Sequence, residues 1–103
     1  MPSKIRITVV KAMGTAELFG TTPPCTPNVD DRCARLKVGD VFVVAEDGLC
    51  PPDFCTWAFH DIYRDITHLR FGGDYPFCKE SGTAVMCCTD GLRPVFFKLE
   101  RLE

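Results

Sequence analysis

Only one stretch of this chain can make a long amphipathic helix, and that restricts the folds open to it. From about Phe54 to Phe71, the residues Phe59, Ile62, Tyr63, Ile66 and Leu69 recur at i, i+3, i+4, i+7 spacing, an apolar stripe of helical period. Asp61, Arg64, Asp65 and His68 fall outside the stripe and are expected to face water. Pro51-Pro52-Asp53 precedes it with Asp53 as the expected N-cap, and Gly72-Gly73 ends it, the first glycine taking the left-handed C′ conformation. The remaining regular segments read as strands, and the first and last of them alternate with period 2. In Lys4 to Lys11, Ile5, Ile7 and Val9 share one face. A second strand runs from about Asp40 to Glu46, launched by the turn chemistry of Gly39-Asp40. Thr83 to Cys88 and Pro94 to Leu102 follow the helix, joined through Thr89-Asp90-Gly91-Leu92, whose Asp-Gly pair marks a tight hairpin.

Strand, loop, strand, helix, strand, strand is an α+β order. It predicts a mainly antiparallel sheet of four or five strands with one amphipathic helix packed on it. A chain of 103 residues makes a single domain, 1–103, able to bury one core without staples. The expected core is Ile5, Ile7, Val9, Val41, Val43, Ile62, Ile66, Leu69, Val85, Val95, Phe97 and Leu99. The segment Ala12 to Arg35 has three prolines and no sustained periodicity. A structureless loop of about 20 residues in a small domain needs an anchor. Either a metal or partner thiol at Cys33 supplies it, or Ala16 to Phe19 forms a short strand or helical turn and the loop packs by itself.

Seven cysteines dominate the chemistry: Cys25, Cys33, Cys50, Cys55, Cys78, Cys87 and Cys88. The N-terminal residues turn at once into a strand pattern and hold no apolar run of signal-peptide length, so a cytoplasmic, reducing setting is expected. Cysteines there act as thiols, metal ligands or redox centres. Twelve basic against fourteen acidic residues give no electrostatic footprint for nucleic acid, and no apolar stretch approaches the roughly 20 residues a membrane span needs. Neither nucleic acid nor a membrane is therefore expected as a partner.

No Cys-x-x-Cys occurs, nor does a phosphate-cradling loop, a Gly-x-Ser-x-Gly elbow or His-Glu-x-x-His. Cys55 lies at the start of the helix, where unpaired N–H groups and the helix dipole stabilise a thiolate. Its alternative is a small buried hydrophobe. His60 is five residues on and meets Cys55 only if Cys55 precedes the regular helix. It reads either as a ligand or general base, or as a structural histidine. His68 reads as surface. Cys87 and Cys88 are strand neighbours and should point to opposite faces, one into the core and one outward.

Taken together, Cys33-Ala34-Arg35-Leu36-Lys37-Val38-Gly39-Asp40, Phe54-Cys55 through His60-Asp61-Ile62-Tyr63, Phe71-Gly72-Gly73-Asp74-Tyr75-Pro76, and Cys88-Thr89-Asp90 with Val95-Phe96 resemble an uncharacterised prokaryotic family. Its members are small cysteine-containing domains of about this length, sometimes in tandem, and no activity is assigned to them. The resemblance runs from about Ile5 to Leu102 and implies that Cys33, Cys55 and Cys88 occupy family positions, with Cys87 a near neighbour. Cys25, Cys50 and Cys78 match none.

Three functional readings follow. The first is a small domain binding a thiophilic metal, zinc by default and iron–sulfur as the variant, through Cys33, Cys55, Cys88 or Cys87, and His60. The second is a thiol-based enzyme or sulfur carrier with Cys55 as nucleophile, His60 as base and Arg93 or Asp90 as polar neighbours. The third is an interaction or homodimerisation module using Trp57, Phe71, Tyr75 and Phe77, with structural cysteines. The alternative for those aromatics is that they close the bottom of the core.

Overall fold

A computed structural model describes residues 2–102. Four strands, β1 (Lys4–Ala12), β2 (Val41–Val44), β3 (Thr83–Cys87) and β4 (Val95–Leu102), form one antiparallel sheet in the order β2-β1-β4-β3. The main helix, α2 (Thr56–Arg70), packs against one face, and a short helix, α1 (Thr15–Phe19), lies between β1 and β2 in sequence. The α+β expectation is met, with four strands.

The period-2 pattern works as anticipated in the two central strands. Ile5, Ile7 and Val9 of β1 and Val95, Phe97 and Leu99 of β4 are buried beneath Ala58, Phe59, Ile62, Ile66 and Leu69 of α2. Each such side chain contributes about 1.5–3 kcal/mol through apolar burial. In the outer strands the expected face is wrong by one residue. Val41 and Val43 are 53% and 45% exposed, while Val44 is fully buried. Val85 is also exposed, and its neighbour Ala84 is buried instead. The pairing explains this: Val44 sits opposite Ile5, and Ala84 opposite Leu99, so these residues share the inward face. A bulge between Val9 and Lys11 then shifts the end of β1, leaving Val10 exposed.

Helix α2 starts two residues later than its stripe suggests. Cys55 is the N-cap, and Asp53 lies outside the helix with a positive φ of 67°. The N–H of Phe54 bonds to the carbonyl of Pro51, and the Phe54 ring enters the core against Phe42, Phe59 and Phe97. The C-terminus does use Gly72 at a φ of 89°. The Gly72 N–H bonds to Leu69 O and the Gly73 N–H to His68 O, the two bonds of a Schellman stop.

Asp65 is buried, contrary to the expectation of a wet position. The Tyr75 hydroxyl donates to it at 2.6 Å, which fastens the segment after the helix onto α2. Polar contacts within itself and to the loop before β4 hold the segment from Ala12 to Arg35. Asp31 accepts the Ala16 N–H, Arg32 pairs with Glu17 and donates to Ala12 O, and the buried Thr15 hydroxyl bonds to Leu92 O. Ala16 to Phe19 does fall in a helical turn, within α1.

Candidate functional site

Three cysteines from three separate segments line one cavity of about 120 Å³: Cys33, Cys55 and Cys88. Leu36, Trp57, Ala58, Asp90, Arg93 and Val95 complete its wall. Each thiol is placed by a neighbouring anchor. Leu36 is buried three residues after Cys33 and precedes a turn in which Asp40 accepts the Lys37 N–H. Cys55 follows the buried Phe54 and caps α2 without spending its side chain on a cap hydrogen bond. Cys88 closes the loop between β3 and β4: its N–H bonds to Val95 O, and its sulfur accepts the Val95 N–H at 3.3 Å.

Seven residues, 88–94, separate the two strands, so the connection is a structured loop and not a two-residue hairpin. Asp90 organises it. One carboxylate oxygen accepts the N–H groups of Leu92 and Arg93, and the other accepts Arg93 Nε at 3.2 Å. Burial pushes the Asp90 carboxyl up, yet those two backbone donors and the Arg93 guanidinium together hold it below the ordinary aspartate value. Trp57 and Asp61 clamp the same loop to α2. The indole Nε1 donates to the Thr89 hydroxyl at 2.8 Å, and Asp61 accepts from the Thr89 N–H and hydroxyl.

The remaining candidates lie elsewhere. His60 lines a shallow hollow with Trp57, Asp61 and Thr89, outside the thiol cavity. Cys87 pairs with Phe96 and lines a separate hollow with Asp61, Arg64, Asp65, Val85 and Met86, so Cys87 and Cys88 do face different ways. Burial, with Cys88 and Asp61 nearby, pushes the Cys87 thiol up. Cys50 is half-buried near Cys55. Burial and that neighbour push its thiol up, and Arg35 opposes them. All seven cysteines are free thiols. Among the described residues, no group of three or more His, Cys, Asp or Glu is placed to hold a metal ion.

A wider groove, lined by Phe19, Cys25, Val29, Trp57, Leu92 and Arg93 among others, adjoins the cavity and shares Trp57, Asp90 and Arg93 with it. Trp57 is 64% exposed at this junction. Of the other aromatics, Phe71 and Phe77 are exposed, and Tyr75 is half-buried between His68 and Phe77. Tyr75 packs against the edge of the core, whereas Trp57, Phe71 and Phe77 do not close it. No helix among the described residues is long and apolar enough to cross a membrane.

The apolar part of the wall was not marked in the sequence: Val95 read there as a core residue, Leu36 stood only inside a motif, and Ala58 carried no signal. Comparisons of the chain with protein-family models, with curated proteins and with solved structures find no match.

Proposed function

We propose that this protein is a small domain built around a soft-metal centre, with Cys33, Cys55 and Cys88 as thiolate ligands, zinc as the default ion and an iron–sulfur centre as the variant. The observation that carries the reading is the convergence of those three thiols, from separate segments, on one small cavity. Thiolates select zinc, copper(I) or iron–sulfur over hard cations. A zinc–sulfur bond of about 2.3 Å requires the three thiols to come closer together than they stand. Cys88 would then give up the contact its sulfur makes with the Val95 N–H. With His60 outside the wall, the protein supplies three ligands, and the fourth place is open to an exogenous group. Three thiolates and a divalent ion carry one net negative charge, which the Arg93 guanidinium in the wall offsets.

Metal analysis of protein purified anaerobically without added metal tests this. About one equivalent of zinc or iron is expected, falling on Cys33→Ser, Cys55→Ser or Cys88→Ser but not on Cys78→Ser. Under about 0.2 equivalents of any transition metal overturns it.

One observation favours a second reading, a thiol enzyme or sulfur carrier. Cys55 stands at the N-terminus of α2 with its thiol uncommitted, in the same cavity as a guanidinium. Iodoacetamide labelling against pH, followed residue by residue, separates the two. A metal-bound Cys55 is protected until a chelator is added. An activated one reacts from the start, with a midpoint below the ordinary thiol value of about 8.5.

A further inference from the structure

We propose that the thiol cavity and the groove beside it bind a small carboxylate-bearing molecule whose carboxylate pairs with Arg93 while its soft end, a thiol or a thiol-reactive carbon, reaches Cys33, Cys55 or Cys88. The inference names the ligand class of the centre proposed above and rests on the same cavity, but it does not require the metal.

Arg93 is the cation common to both walls. Its side chain is 22% exposed, and Asp90 engages it through Nε alone. Both terminal amino groups of the guanidinium have no protein acceptor among the described residues, so the two-pronged end that matches a carboxylate is open. Asp90 does not compete for them. Its two oxygens are spent on the N–H groups of Leu92 and Arg93 and on Arg93 Nε, and this fixes the guanidinium in place. A largely covered cation with two idle donors favours an anionic ligand.

The rest of the wall selects for size and softness. Leu36, Ala58 and Val95 offer an apolar surface for a short carbon spacer, and the three cysteines line the same cavity as Arg93. A cavity of about 120 Å³ admits only a few heavy atoms. The exposed Trp57 stands at the entry with its N–H already committed to Thr89, leaving the ring face to cover the spacer.

Iodoacetate and iodoacetamide test this directly, since they differ only in carboxylate against amide. With either, a cysteine thiolate displaces iodide, forming one carbon–sulfur bond as the carbon–iodine bond breaks. The full chain, freed of metal with a chelator, is alkylated with each, and rates are resolved by residue. The ratio of the iodoacetate rate to the iodoacetamide rate is referred to the same cysteine in the urea-unfolded chain. For at least one of Cys33, Cys55 and Cys88 the ratio is expected to rise about tenfold on folding, to fall back in Arg93→Gln, and to drop with added salt. Propionate should slow that cysteine's alkylation in the wild-type chain, and inorganic phosphate should do so less.

A ratio no higher than in the unfolded chain, a ratio unchanged in Arg93→Gln, or protection by phosphate and not by propionate overturns the proposal. So does failure of all three cysteines to react with either reagent, because the cavity would then admit no such ligand. Should Arg93→Gln not fold, the wild-type ratio and the propionate protection decide alone. A chain that passes this test but carries no metal retains the ligand site and loses the metal reading. The opposite result does the reverse.

Discussion

The Trp57 indole N–H donates to the Thr89 hydroxyl at 2.8 Å, and that hydroxyl in turn donates to Asp61 at 3.0 Å. One threonine thereby ties the first turn of α2 to the loop that carries Cys88, Asp90 and Arg93. Thr89→Val keeps the shape and removes the hydroxyl. Because the site is exposed, the stability cost should be about 1 kcal/mol. The larger effect is expected on the site: tryptophan emission should shift and the labelling rate of Cys88 should change. An unaltered spectrum and rate would mean that the clamp does not position the loop.

Asp65 and Tyr75 form the second tie between α2 and the chain that follows. Removing the phenol hydroxyl in Tyr75→Phe leaves a buried carboxyl without its 2.6 Å partner. Urea unfolding should show a loss of about 1–3 kcal/mol. Phe77→Ala, at an exposed neighbour stacked on the same ring, should cost less.

The register of the outer strand β2 is open to a paired test. Val44→Ala should cost about 2 kcal/mol, since Val44 is buried against Ile5, and Val43→Ala less than about 0.5 kcal/mol. In β4, Phe97→Ala should cost about 3–5 kcal/mol and Lys98→Ala almost nothing. Reversal of either pair would shift that strand by one residue.

Acid should weaken the fold through Asp74 and Asp90. The Gly82 N–H holds Asp74 below the ordinary value against the opposing effect of burial, with help from Arg101 and Ser81. Asp90 is depressed as described above. A carboxyl depressed in the folded state contributes its stabilisation above the unfolded value of about 3.9 and loses it as pH falls through the folded value. Thermal melts of wild type should therefore drop steeply below about pH 4. Asp74→Asn should start lower at neutral pH and fall less, because that titration is gone. Parallel curves would remove Asp74 from the acid response.

What the sequence made legible depended on how redundant each signal was. Ile5-Ile7-Val9 and Val95-Phe97-Leu99 alternate with polar or solvated neighbours, so their inward faces could be read. Val41-Phe42-Val43-Val44 is apolar throughout and has no period to read, so its face is decided by pairing with β1. At Ala84-Val85 the larger aliphatic is the natural choice for a core, yet the small residue is inside because Leu99 lies opposite. Asp65 looked wet because its partner Tyr75 is ten residues away, across the helix stop. For the site, Cys55 was singled out by its place at the helix start, Cys33 and Cys88 by resemblance, and Asp90 and Arg93 as polar neighbours. Their meeting in one cavity depends on contacts between distant segments, which no local spacing encodes.

The sheet order places β1 beside β4, with Lys4 opposite Leu102, so the first strand of this sheet waits for its last. Until β4 is available, one edge of β1 offers unpaired backbone N–H and C=O groups, and Ile5, Ile7 and Val9 lack their main companions. Such non-local pairing slows folding and lengthens the time during which a nascent chain can pair with the wrong strand. The cavity inherits the same timing. Cys88 and Arg93 sit in the loop that leads into β4, so the thiols gather only when the last strand docks. A chain intercepted before that moment would hold Cys33, Cys55 and Cys88 apart, so any chemistry that needs them together would have to wait for β4.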